Sequence, residues 1–219
     1  MSIVSHRHRM IFLKTRKTAG SSLEIWLASR LDPETDLAAL TADLRDHRPD
    51  LAAALKPRGL APPATAAQVR ALVGDAVWRS YFKFAVERNP WDRLISLWRW
   101  RQSHRHAPIS LEAFLDAIAE GSPSRLKSAN ADGWSNWPIY SIDDQIAVDR
   151  VVLYEELETG LTEALAQVGI AYDGALPRAK SGARSKGDTI RLLSEGQRAL
   201  IADLCRKEIG AFGFSLGEG

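Results

Sequence analysis

Met10-Ile11-Phe12-Leu13-Lys14, followed by Thr15-Arg16-Lys17-Thr18-Ala19-Gly20-Ser21-Ser22-Leu23-Glu24, is the stretch on which the reading of the chain turns. The first five residues form a short apolar run fit for a buried strand. Ser21 and Glu24 have the spacing of a capping box that starts a helix reaching about Arg30. Small residues let the loop between them curl closely around an anion. Amide groups at the helix start, two hydroxyls and Lys17 would direct donor or positive ends at it. The loop has the chemistry of a phosphate cradle, although a capped helix behind a basic turn would use the same residues. A Walker A loop would end in Gly-Lys-Ser/Thr, but here Lys17 precedes Gly20 and no Gly-Lys pair occurs in the chain. That argues against an ordinary ATP or GTP site.

Outward from this stretch the same alternation recurs. Phe82 to Val86 reads as a second strand, and Asn89-Pro90-Trp91-Asp92 opens a helix with Asn as cap, Pro at the first helical position and Asp in the first turn. Arg150 to Tyr154 reads as a third strand, with a helix over about Leu157 to Val168. Further helices are expected near Leu37 to Leu44, after Thr65, over Ser110 to Glu120, and from Ser194 towards Ile209, where Gln197 completes a capping box. The Ser-, Asn- and Trp-rich stretch from Gly121 to Tyr140 reads as a long surface loop. Strands alternating with helices predict an α/β fold, a three-layer sandwich around a short central parallel sheet. Ligands of such sheets bind at the carboxyl ends of the strands, where the loops after Lys14 and Val86 lie.

The chain has 219 residues, 45% of them hydrophobic, which suits one domain over 1–219 with a sizeable core. Its 29 basic and 27 acidic side chains leave a formal charge of only +2, so no nucleic-acid partner is expected and any anion site must be local. Cys205 has no second cysteine to pair with, and five scattered histidines have no metal-ligand spacing, so no metal is expected. The opening residues hold no apolar core of signal-peptide length, and no stretch approaches the roughly 20 apolar residues of a membrane span. A cytoplasmic protein is the expectation.

Arg88 at the end of the second strand and Ser96 two helical turns on are suited to a second phosphate, while Arg88 is equally well spaced to pair with Asp92. KTAGSS after the first strand and RNPWDRLIS after a later one together resemble the 5′-phosphosulfate loop and 3′-phosphate motif of PAPS-dependent sulfotransferases. PAPS is 3′-phosphoadenosine 5′-phosphosulfate. The KTA variant resembles the branch that contains carbohydrate 2-O-sulfotransferases and bacterial relatives. The resemblance continues through VDRVVLYEELETGL and covers most of the chain. It implies a P-loop-like fold and an enzyme that moves a sulfuryl group from PAPS to a hydroxyl or amine of a polar, carbohydrate-like acceptor. It also implies that Lys17, Thr18, Ala19, Gly20, Ser21 and Ser22 hold the 5′-phosphosulfate and that Arg88 and Ser96 hold the 3′-phosphate. Arg184 and Lys186, in a basic segment where relatives cover the nucleotide, would join them. Two departures stand out: Arg16 takes a place where the family commonly has proline, and Pro62-Pro63 stands where relatives often carry a histidine. The second favours an alternative, a non-catalytic module that senses PAP, the desulfated nucleotide, or binds a partner.

Sulfuryl transfer builds negative charge on the leaving phosphate oxygen, and Lys17 is placed to stabilise it. The acceptor must lose a proton to a histidine or carboxylate. His47, Asp46, Glu87, His104 and His106 are the candidates, and His47 is preferred because it lies between the two phosphate motifs. Trp134 and Trp137 could stack on a sugar or simply anchor their loop.

Overall fold

The computed structural model describes residues 2–38, 42–55, 64–103, 108–121, 134–177 and 190–216. In chain order these form β1 (Ser2–Ser5), β2 (Met10–Leu13), α1 (Gly20–Ala28), β3 (Leu37–Ala38), α2 (Ala42–His47), α3 (Pro49–Ala54), α4 (Ala66–Ser80) and β4 (Phe82–Glu87). There follow α5 (Pro90–Ser103), α6 (Leu111–Ala119), α7 (Trp137–Tyr140), β5 (Ser141–Ile142), β6 (Gln145–Ile146), β7 (Arg150–Leu153), α8 (Leu157–Ala166), α9 (Glu195–Leu204) and α10 (Arg206–Phe212). Two units result, Met1–Glu87 with Pro138–Ser181 and Arg88–Trp137 with Gly182–Gly219.

The first unit is built on a sheet of strand order β3-β1-β2-β4-β7. The three strands expected from the sequence, β2, β4 and β7, pair in parallel. Met10 to Leu13 and Phe84 to Val86 are at most 1% exposed, as continuous apolar runs in the middle of a sheet must be. Phe12 lies directly opposite Phe84 and their rings stack at 5.0 Å. Beyond β2 the sheet departs from the expectation: β1 runs antiparallel to β2, and the two-residue β3 antiparallel to β1. The sheet is therefore mixed, and part of the helix expected over Leu37 to Leu44 is instead this edge strand, followed by α2. Asp36 explains the local choice. Its buried carboxylate accepts from Ser5 Oγ at 2.7 Å, from the amides of His6 at 2.6 Å and Arg7 at 3.2 Å, and from Asp32 N at 3.0 Å. It thereby ties the β1–β2 turn to the segment entering β3.

Two helices of this unit follow the sequence closely. Thr65 and Gln68 exchange the reciprocal hydrogen bonds of a capping box at the start of α4, which breaks locally at Gly74 (φ 79°). Helix α8 crosses β7 so closely that a β-carbon on Gly160 would lie 2.5 Å from Val152 Cγ1.

The second unit is helical among its described residues. Trp91, Leu94 and Ile95 of α5 and Phe114, Leu115 and Ile118 of α6 pack with Ile201 and Cys205 into a common core. Ser110 caps α6, and Ser194 with Gln197 forms the expected capping box on α9. The helix expected to continue towards Ile209 is interrupted at Cys205 (φ −111°, ψ 26°) and resumes as α10.

Candidate functional site

Residues 14–19 link the carboxyl end of β2 to α1. Here the capping box read from Ser21 and Glu24 does not form. Ala19 occupies the N-cap position in left-handed conformation (φ 59°) and makes no side-chain cap. Glu24 is drawn away because Lys14 Nζ donates to its Oε2 at 2.5 Å and to Ser21 Oγ at 3.3 Å, with the Glu24 side chain fully buried. An ion pair in a shielded place outcompetes a bond to a backbone amide. The consequence is a helix start whose N-cap residue, Ala19, supplies no side-chain cap; a helix N-terminus of this kind suits an anion.

The loop is held in an unusual shape. Lys17 (φ 63°) and Ala19 (φ 59°) are both left-handed without being glycine, a conformation costing each about 1 kcal/mol. Such residues aim successive backbone N–H groups into a shared concavity, and strain of this kind gathers at ligand clamps. Buried hydroxyls hold it: Thr15 Oγ1 lies 2.8 Å from Thr18 Oγ1 and donates to the carbonyl of Val86, while Thr18 Oγ1 donates to Thr15 O at 3.3 Å. Thr15 thus fastens the loop to the end of β4. Gly20 is required for closeness, since a β-carbon there would stand 2.7 Å from Lys14 Cγ and 3.1 Å from Thr15 O.

The sequence motif after β4 begins at Arg88, in the second unit. Its Nε donates to Asp92 Oδ2 at 2.8 Å and its Nη2 bonds the same oxygen, the pairing that the i,i+4 spacing allows. Asn89 Oδ1 accepts from Trp91 N at 3.2 Å and caps α5. Ser96 is half-buried on α5. Nearby in the same unit lies a feature that spacing did not reveal. The Arg93 side chain is fully buried, donates from Nη1 to the Trp134 carbonyl at 2.5 Å, and sits 3.6 Å from Glu208 Oε1 and 3.7 Å from Cys205 Sγ. Its partners are distant in sequence, so no local pattern announces them.

The chain matches the model of the sulfotransferase family over residues 1–215. It belongs to the sulfotransferase family. No curated protein and no solved structure matches it. Family membership supports sulfuryl transfer in general, and PAPS is the sulfuryl donor that the family implies.

In this sulfotransferase, Lys17, Thr18 and Ala19 lie in the loop between β2 and α1, and Gly20, Ser21 and Ser22 form the first turn of α1. Arg88 and Ser96 belong to the other unit. His47 ends α2 and is exposed, as is Asp46. Glu87, by contrast, is fully buried and accepts from the Tyr140 hydroxyl at 3.0 Å. Arg184, Lys186, His104, His106 and Pro62-Pro63 lie outside the described residues. Trp134 packs against the core of its unit, which is anchoring, and Trp137 begins a short helix whose Ile139 and Tyr140 are buried, so the end of the expected surface loop is folded inward. Among the described residues there is no group of three His, Cys, Asp or Glu side chains that could hold a metal, and no helix long and apolar enough to cross a membrane.

Proposed function

We propose that the chain transfers a sulfuryl group from PAPS to a hydroxyl or amine of a polar, carbohydrate-like acceptor and releases PAP. The observation that carries this reading is the loop between β2 and α1, where a helix start without a side-chain cap adjoins left-handed Lys17 and Ala19. PAPS supplies the sulfuryl group, which passes in line to the acceptor as PAP departs.

The chain's own residues divide the work. The loop amides with Ser21 and Ser22 hold the 5′-phosphosulfate, and Gly20 lets the backbone approach. Lys17 stabilises the charge that grows on the leaving oxygen, a contribution worth more in the transition state than in the bound ground state. The 3′-phosphate is assigned to Arg88 and Ser96 on their motif, with Arg88 exchanging part of its bond to Asp92 for the ligand. Arg184 and Lys186 are assigned on the same ground to covering the nucleotide. His47 is proposed as the proton acceptor, since it is exposed to an incoming acceptor whereas Glu87 is buried and engaged by Tyr140.

Incubation with labelled PAPS and a panel of hydroxyl and amine acceptors tests the reading. Formation of a sulfated acceptor with release of PAP is the expected result. Tight PAP binding with no transfer to any acceptor would instead support a nucleotide-sensing module.

A further inference from the structure

The mechanism above leaves one buried charge of the loop without a task. Lys14 leaves the carboxyl end of β2, passes its stem beneath Gly20 and ends between Ser21 and Glu24. Its Cγ and Cε would lie 2.7 and 3.0 Å from a β-carbon on Gly20, so the glycine that lets the loop close is also the glycine that lets this lysine through. The Lys14 side chain is 13% exposed and that of Glu24 is 0% exposed. The two charges offset each other, so the pair adds little net charge to the loop and cannot attract an anion as Lys17 does.

Lys14 also donates to Ser21 Oγ. A hydroxyl that accepts from a cation becomes a stronger donor through its own hydrogen, because hydrogen bonds in a chain polarise one another. Glu24 fixes the ammonium in place, and the ammonium fixes the hydroxyl. We propose that Lys14, held by Glu24, is a positioning residue that sets the Ser21 hydroxyl as a donor to the 5′-phosphate end of the nucleotide. This rests on the reading of the loop as a PAPS site and adds a residue to it. It also explains why Ser21 and Glu24 forgo the capping box, whose formation would turn the Ser21 oxygen to a backbone amide.

A merely structural or charge-balancing role for Lys14 predicts something different, and the two can be separated by removing both charges together. Buried ion pairs are often replaced by neutral groups of similar volume without loss of fold, so K14M/E24Q is the informative variant, alongside S21A and the triple variant. Binding is read by calorimetry with two probes, PAP and adenosine 3′-phosphate, which lacks the 5′-phosphate. We expect K14M/E24Q to bind PAP about tenfold more weakly, as for loss of one hydrogen bond to a charged group, and to bind adenosine 3′-phosphate as the wild type does. S21A should match it, and the triple variant should be no worse, because residues acting through one another are not additive. Wild-type affinity of K14M/E24Q for PAP, equal weakening for both probes, or an S21A effect that multiplies with the pair's would overturn the proposal while leaving the PAPS site intact. If K14M/E24Q does not fold, the E24Q variant alone decides by the same two probes. With the ammonium held only by a neutral amide oxygen in place of a carboxylate, it should lose PAP affinity selectively, and unchanged or tighter PAP binding overturns the proposal. Failure of the wild type itself to bind PAP would remove the site and the proposal with it.

Discussion

Two strand-to-helix junctions carry the stretches proposed to hold the nucleotide's phosphates, and they solve the start of a helix in opposite ways. Residues 14–19, between β2 and α1, leave the first turn without a side-chain cap and hold two non-glycine residues left-handed. Residues 88 and 89, between β4 and α5, are conventional: Asn89 caps its own helix and Arg88 is tied to Asp92. At the first junction the N-cap residue, Ala19, makes no side-chain bond to the helix amides. At the second a side chain of the junction itself, Asn89, accepts from the helix start at Trp91 N. A shared position at the end of a parallel strand therefore does not imply a shared mode of binding. On the proposed function, the first junction surrounds a group and the second reaches for one.

The largest expected consequence of this difference concerns Lys17. Lys17→Ala should lower PAPS turnover by about 100-fold or more, as loss of a transition-state donor does, with a much smaller change in PAP affinity. Steady-state rates beside calorimetry check it, and unchanged turnover would place Lys17 outside the chemistry. Next in size, Arg88→Ala should weaken PAP about tenfold or more while leaving the affinity for adenosine 5′-phosphate, which lacks the 3′-phosphate, little altered. Equal losses would dissolve the contrast between the junctions.

Smaller effects sharpen the same contrast through stability. Thr65→Ala removes a true cap and should cost about 1 kcal/mol, lowering the melting temperature by about 2–4 °C. Ser22→Ala, at a helix start with no side-chain cap, should shift stability by less than about 0.5 kcal/mol. A large drop for Ser22→Ala would mean that α1 is capped after all. Least of all, Ala19→Gly relieves a left-handed residue and should raise stability by about 0.5 kcal/mol, the relief exceeding the added freedom of the unfolded chain. Scanning calorimetry reads all three.

What the sequence made legible was whatever depended on short-range pattern. The apolar runs at Met10, Phe82 and Arg150 announce themselves by their own composition, while the capping boxes at Thr65 and Ser194 and the Asn89-Pro90 helix start lie within a few residues of the groups that satisfy them. Ser2–Ser5 escaped notice because a strand of two apolar residues flanked by Ser and followed by His-Arg-His-Arg carries almost no hydrophobic pattern, and its stability comes from β2, β3 and Asp36. The Ser21–Glu24 capping box was misread for the same reason in reverse. The local spacing was right, but Lys14, from the far side of the loop, offered both residues a stronger partner. The strand-to-helix loop at residues 14–19 could be located from its residues, whereas its internal wiring could not.

The Asp36 clasp bears on the order in which the sheet can assemble. It joins residues 5–7 to residues 32–36, and β1, β2 and β3 all lie before residue 39, so the antiparallel side of the sheet closes within one contiguous stretch of chain. The parallel side cannot, because Met10 must find Phe82, and Phe84 must then find Arg150, each after a long excursion of chain. Closing such loops costs entropy before any pairing rewards it. During synthesis the first 38 residues can already form a clasped hairpin edge, presenting β2 as a ready template on which β4, and after it β7, dock as they emerge.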